Sequence, residues 1–95
     1  MYEVKLGARA TRQVGKLDPH IKEVVKRRLR EALASDPHRY SFLSGKYSGL
    51  KRVAFSTPAG EFRAVFAIRE NKRRAVVLFV GSRENFYKEL QRYLG

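Results

Sequence analysis

The run Ala75-Val76-Val77-Leu78-Phe79-Val80 is apolar at every position, and this constrains the fold more than any other stretch of the chain. Alternation along a strand sends such a run to both faces, so both must be covered and the strand must lie centrally in a sheet. Strand-like runs at Leu50 to Ser56 and Glu61 to Arg69 come before it. Thr57-Pro58-Ala59-Gly60 reads as the hairpin loop between that first pair, and Glu70-Asn71-Lys72-Arg73 as the loop into the apolar run. Tyr2, Val4 and Leu6 alternate with Glu3 and Lys5, which predicts a further strand, short and half-buried.

Between these strands the period changes. Ala10, Val14 and Leu17 recur at helical spacing, predicting a short helix over about Ala8 to Lys16. Asp18-Pro19 offers an N-cap followed by proline at the first helical position. Ile21, Val24, Val25, Leu29, Ala32 and Leu33 then form one apolar stripe with Lys22, Lys26, Arg27 and Arg30 outside it, and Ser35-Asp36-Pro37 stops the helix. Gly45, Ser48 and Gly49 mark turns in an irregular stretch, and Arg83 to Leu94 reads as a last helix burying Phe86, Leu90 and Tyr93 or Leu94. The expected order is β-α-α-β-β-β-α: one α+β domain over residues 1–95, with helices covering an antiparallel sheet.

Charge limits the partners. The chain holds 21 Lys and Arg against 9 Asp and Glu, a formal +12. A field of that size points to a polyanion, whose bound counterions are released as its phosphates are neutralised. Ion-pair-rich surfaces would raise acids and bases together, and membrane-binding segments would concentrate the bases on one amphipathic helix, so nucleic acid is the favoured partner. With no cysteine, and with His20 and His38 far apart at turns, disulfide and metal chemistry find no support, and both histidines read as surface residues. The start of the chain has no signal-like apolar region and no run reaches membrane-spanning length, so a cytoplasmic protein is expected.

Three local motifs then line up. Gly60-Glu61-Phe62-Arg63-Ala64-Val65-Phe66 resembles the Gly-x-aromatic-Arg-x-Val-aromatic strand of the RelE/ParE toxin superfamily. Val80-Gly81-Ser82-Arg83-Glu84-Asn85-Phe86-Tyr87 resembles its Gly-x-Arg segment leading to a tyrosine in the last helix, and Leu43 to Leu50 resembles its Leu-x-Gly stretch. Element order, size and charge are similar along nearly the whole chain. The resemblance implies a toxin of a type II toxin–antitoxin pair: a ribosome-dependent mRNA endonuclease acting in the A site, bound to rRNA and mRNA and neutralised by an acidic antitoxin. It also implies no metal or other cofactor, and an RNA 2′-hydroxyl attacking the adjacent phosphate.

That reaction needs extra phosphorane charge stabilised, which suits the permanently charged, bidentate fork of arginine. Alternation puts Phe62, Ala64, Phe66 and Ile68 on one side and leaves Arg63 on the other, where it is expected to hold phosphate. Arg52 and Ala54 share that side if Val53 and Phe55 face the core. Arg83 and Tyr87, at i and i+4 of the expected last helix, would share a face, gripping a phosphate and stacking a base. Without the resemblance, Arg63 reads as a surface arginine. For Tyr87 the plain alternative is helix packing beside Phe86, but Phe86, Leu90 and Leu94 already fill a core stripe, which favours the functional reading. Family strands often carry two basic residues at alternate positions; here Ala54 replaces the second, which leaves Lys46, Lys51 or Glu61 as proton acceptors. Arg73, Arg74, Lys26 and Arg27 are expected as solvated charges that add salt-dependent RNA affinity. Two other functions share the scaffold: a ParE-like toxin acting on DNA gyrase, and a non-catalytic RNA- or partner-binding module.

Overall fold

The computed structural model describes residues 1–47 and 49–94 and, of Lys46, only the backbone. The chain runs β1 (Glu3–Leu6), α1 (Ala8–Gly15), α2 (Pro19–Leu33), β2 (Lys51–Thr57), β3 (Gly60–Arg69), β4 (Arg74–Ser82) and α3 (Phe86–Leu94). Short 3₁₀ turns sit at Pro37–Arg39, Gly45–Tyr47, Glu70–Lys72 and Arg83–Asn85. The strands stand in the order β1-β4-β3-β2. The three-stranded part β2–β3–β4 is antiparallel, as expected, while β1 enters beside β4 in parallel, so the sheet is mixed at that edge. The cause is the α1–α2 hairpin, which carries the chain back across the sheet before β2 begins.

Local chemistry sets the element ends. The Asp18 side chain accepts from the His20 backbone N–H at 2.9 Å and caps α2 with Pro19 at its first position. The β2–β3 hairpin closes at the Thr57–Gly60 pair, where Gly60 takes φ 109° and the Thr57 hydroxyl both donates to the Gly60 carbonyl and accepts from the Ala59 N–H.

Two cores result, one on each face of the sheet. Under α1 and α2 lie Val53, Phe62, Ala64, Phe66, Ala75, Val77 and Val80, packed on Val14, Val25, Leu29 and Leu33. On the other face, Val65 and Phe79 meet Phe86 and Leu90 of α3 and Leu43 of the irregular stretch. A β-bulge makes this division possible. Val65 pairs with Phe79 but Phe66 pairs with Val77, so Leu78 is an extra residue on β4. It shifts the alternation by one, sending Val77 to the α1–α2 side and Phe79 to the α3 side.

Candidate active site

β2 and β3 aim two arginines at one place. Val53 pairs with Ala64 on the covered face, which turns Arg52 and Ala54 to the opposite face together with Arg63. Arg63 pairs with Ala54 on one side and Gly81 on the other. Two small neighbours leave its long side chain room to lie over the sheet. A hollow of about 350 Å³ opens there, lined by Arg39, Tyr40, Ser41, Arg52, Val53, Ala54, Arg63 and Tyr87. It continues past Arg52, Arg63 and Tyr87 into a second of about 440 Å³, reached also by Phe42, Leu43 and Ser44.

Tyr87 joins the arginines because Phe86, its neighbour on α3, is buried against Phe79, with ring centroids 5.5 Å apart. That contact fixes the start of α3 and leaves the Tyr87 ring half-exposed. The Arg63 guanidinium lies 5.6 Å from its centroid, and an Arg52 nitrogen lies 3.4 Å from its hydroxyl. Arg63 Nε donates to a Glu61 carboxylate oxygen at 3.1 Å, and its guanidinium also hydrogen-bonds Tyr87. The Glu61 hydrogen bond raises the Arg63 pKa above its ordinary value against the opposing effect of desolvation, with Tyr87 adding to the rise. Arg63 is thus a fixed positive charge and not a base.

Other expected residues lie elsewhere. Lys51 is corrected: it points to the α1–α2 face, is buried, and donates through its ammonium to the His38 and Tyr40 carbonyls. The parity that frees Arg52 sends Lys51 inward. Arg83 is exposed and does not line either hollow. The expected helix from Arg83 begins only at Phe86, because β4 runs on through Ser82 and residues 83–85 form a 3₁₀ turn, so the i, i+4 argument linking Arg83 to Tyr87 does not apply. Lys46 is a side chain outside those described, as is all of Ser48 in the Leu43 to Leu50 motif.

Arg73 and Arg74 mark the opposite end of the β3–β4 ladder, with Arg73 in the left-handed region at φ 47°, 4.7 Å from the Tyr2 ring centroid, and Arg74 paired with Glu3 at 2.7 Å. Lys26 and Arg27 are on α2, with Lys26 4.0 Å from Glu23. His38 is no bare surface residue: its Nε2 lies 2.7 Å from Glu70 and 3.2 Å from the Tyr2 hydroxyl. The Tyr2 hydroxyl donates to Glu70 at 2.6 Å, and these partners, Tyr2 before His38, hold Glu70 below the usual carboxylate range.

Sequence reasoning missed Arg39 and Phe42. Both belong to the irregular stretch after α2, whose backbone follows β2: Arg52 N–H donates to Ser41 O at 3.1 Å and Leu43 N–H to Leu50 O at 2.8 Å. Arg39-Tyr40-Ser41-Phe42, one base followed by two aromatics, is the signal that was present.

A mixed four-stranded sheet with a helical hairpin on one face and a cationic, tyrosine-flanked hollow on the other is the fold of the RelE toxins. Solved structures similar in shape include the RelBE2 toxin–antitoxin complex of Mycobacterium tuberculosis, at 25% identity and TM-score 0.75 over 86% of this chain and 98% of that one. Escherichia coli RelE carrying two arginine-to-alanine substitutions, in the free state, matches at 23% identity and TM-score 0.68 over 99% and 98%. The archaeal RelE–RelB complex of Pyrococcus horikoshii shares the fold at 16% identity and TM-score 0.58, over 87% and 96%. The family model for ParE-like toxins of type II bacterial toxin–antitoxin systems matches residues 4–91, and the chain belongs to that family. No curated protein sequence matches it.

Proposed function

We propose that this toxin is a ribosome-dependent mRNA endonuclease working at the Arg52–Arg63–Tyr87 hollow. The observation that carries the reading is the convergence of two guanidinium groups and a phenol on one open cavity of nucleotide size. Arg63 and Arg52 hold the non-bridging oxygens of the scissile phosphate and stabilise the charge that builds on them. The 2′-oxygen bonds to phosphorus, its proton leaves to solvent, and the bond from phosphorus to the 5′-oxygen breaks. The products are a 2′,3′-cyclic phosphate and a 5′-hydroxyl. Tyr87, beside both arginines, donates a proton to the departing 5′-oxygen. Among the described residues no carboxylate lines the hollow, and Glu61 acts by orienting Arg63. The Ala54 position, where family strands often carry a second base, is the floor that makes room for phosphate.

RelE-fold toxins are solved with antitoxins bound, and the excess positive charge suits an acidic antitoxin segment that competes with RNA for the same surface. A defined message in a translation extract tests the reading. The protein should cut it at codon-spaced positions seen by toe-printing, and Arg63→Ala should not. The family description, ParE-like, favours one other reading, a toxin acting on gyrase. Inhibition of supercoiling at low stoichiometry, with no cleavage of message, would establish that reading instead.

A further inference from the structure

Phe42 is the most exposed of the large hydrophobic side chains past the first residue, at 61%. An apolar ring left this open in a chain that buries Phe62, Phe66, Phe79 and Phe86 and half-buries Phe55 calls for a reason. Its backbone is fixed by the antiparallel bridge to Lys51 at the sheet edge. Its ring is fixed from beneath: the Lys51 ammonium stands 3.9 Å from the ring centroid, held there by the His38 and Tyr40 carbonyls. A buried lysine is thus spent on supporting an exposed ring, which keeps that ring in place at small entropic cost.

Phe42 also stands where two hollows meet. One is the arginine hollow, through its Leu43, Ser44, Arg52, Arg63 and Tyr87 side. The other, of about 320 Å³, is mainly apolar, with Phe42, Ile68 and Gly49 in its lining and Lys51, His38 and Glu70 adding polar groups. Flat apolar surface with a few hydrogen-bonding groups, reached from a cationic groove, is the chemistry that recognises a nucleobase whose phosphate is held next door. An apolar peptide side chain would use the ring but not the adjoining cations. From the rim position of Phe42, the base need only fold over the sheet edge from a phosphate at Arg52.

We propose that Phe42, supported by Lys51, is the stacking platform of a base subsite for the RNA nucleotide adjoining the scissile phosphate. This rests on the reading of the arginine hollow as an RNA site, and extends it to a residue that sets base preference.

The test uses the whole protein and a short single-stranded oligoribonucleotide, with 2-aminopurine at one position at a time and an abasic counterpart for each. Stacking on Phe42 should quench the probe at one position, and Phe42→Leu, which keeps apolar bulk at an exposed site, should abolish that quenching while Phe42→Tyr keeps it. Removing the base at that position should weaken wild-type binding about tenfold, the size of one base–aromatic stack, and the Phe42→Leu protein by less than about twofold. Equal abasic penalties in the two proteins, unchanged quenching in Phe42→Leu, or no position-dependent quenching in the wild type would each overturn the proposal. Cleavage is scored separately in the translation extract. Base coupling without cleavage defeats only the nuclease reading; cleavage without base coupling defeats only the Phe42 subsite.

Discussion

On the face covered by α1 and α2, Phe66, Ala64 and Val77 are completely buried, and the one buried charged group among the described residues, Lys51, donates to two backbone carbonyls. On the opposite face, one residue along each strand, Arg52 and Arg63 stand beside a half-exposed Tyr87, with part of each guanidinium open to solvent. Backbone and register are common to both faces; only the parity of each residue differs. Burial of apolar area makes the first face, with the larger of the two cores, the larger source of stability. The second spends part of its area on like charges held together, an arrangement that repels itself until an anion arrives. The bulge at Leu78 allows one strand to serve both, because it sends Val77 to one core and Phe79 to the other.

Substitutions can break this comparison. Phe66→Ala on the closed face should cost about 3–5 kcal/mol of stability, read by denaturant unfolding. A loss below about 1 kcal/mol would mean that the α1–α2 core is not the fold's main support. Arg63→Ala on the open face should reverse the pattern, lowering cleavage by about a hundred- to a thousandfold while the denaturant midpoint barely moves. Tyr87→Phe should lower cleavage on the order of a hundredfold, also without unfolding, and a variant of wild-type rate would remove Tyr87 from proton transfer.

The smallest effect concerns the Tyr2–His38–Glu70 cluster at the edge where β1 starts. The Glu70 pKa is depressed in the folded protein, so its contribution to stability is fully present above the unfolded value and is lost as pH falls through the folded one. Melting curves of wild type and Glu70→Gln should therefore differ at neutral pH and converge below about pH 4.3. A gap that widens in acid would contradict the assignment.

Much of this was legible from residue patterns. The apolar run of β4 announced a strand covered on both sides, and the alternation of β3 put Arg63 opposite Phe62 and Phe66. Parity also put Arg52 on the open face once Val53 and Phe55 were assigned to the core, and the same parity turns Lys51 inward, away from the arginine hollow. Three features were not legible. The parallel pairing of β1 depends on a contact between distant segments, which local periodicity does not encode. The 3₁₀ turn at Arg83 displaces Arg83 from the Tyr87 face, and no local signal separates a tight turn there from a first helical turn. Arg39 and Phe42 reach the site from an irregular stretch with no period, and only its hydrogen bonds to β2 position them.

Toe-printing of a defined message in a translation extract, with wild-type protein and Arg63→Ala at equal concentration and with matched unfolding curves, tests the central claim most directly. The open, arginine-bearing face as a phosphate-cleaving site predicts codon-spaced cuts by the wild type and none by the variant. Identical patterns from the two proteins, or a folded wild type that leaves the message whole, would contradict it.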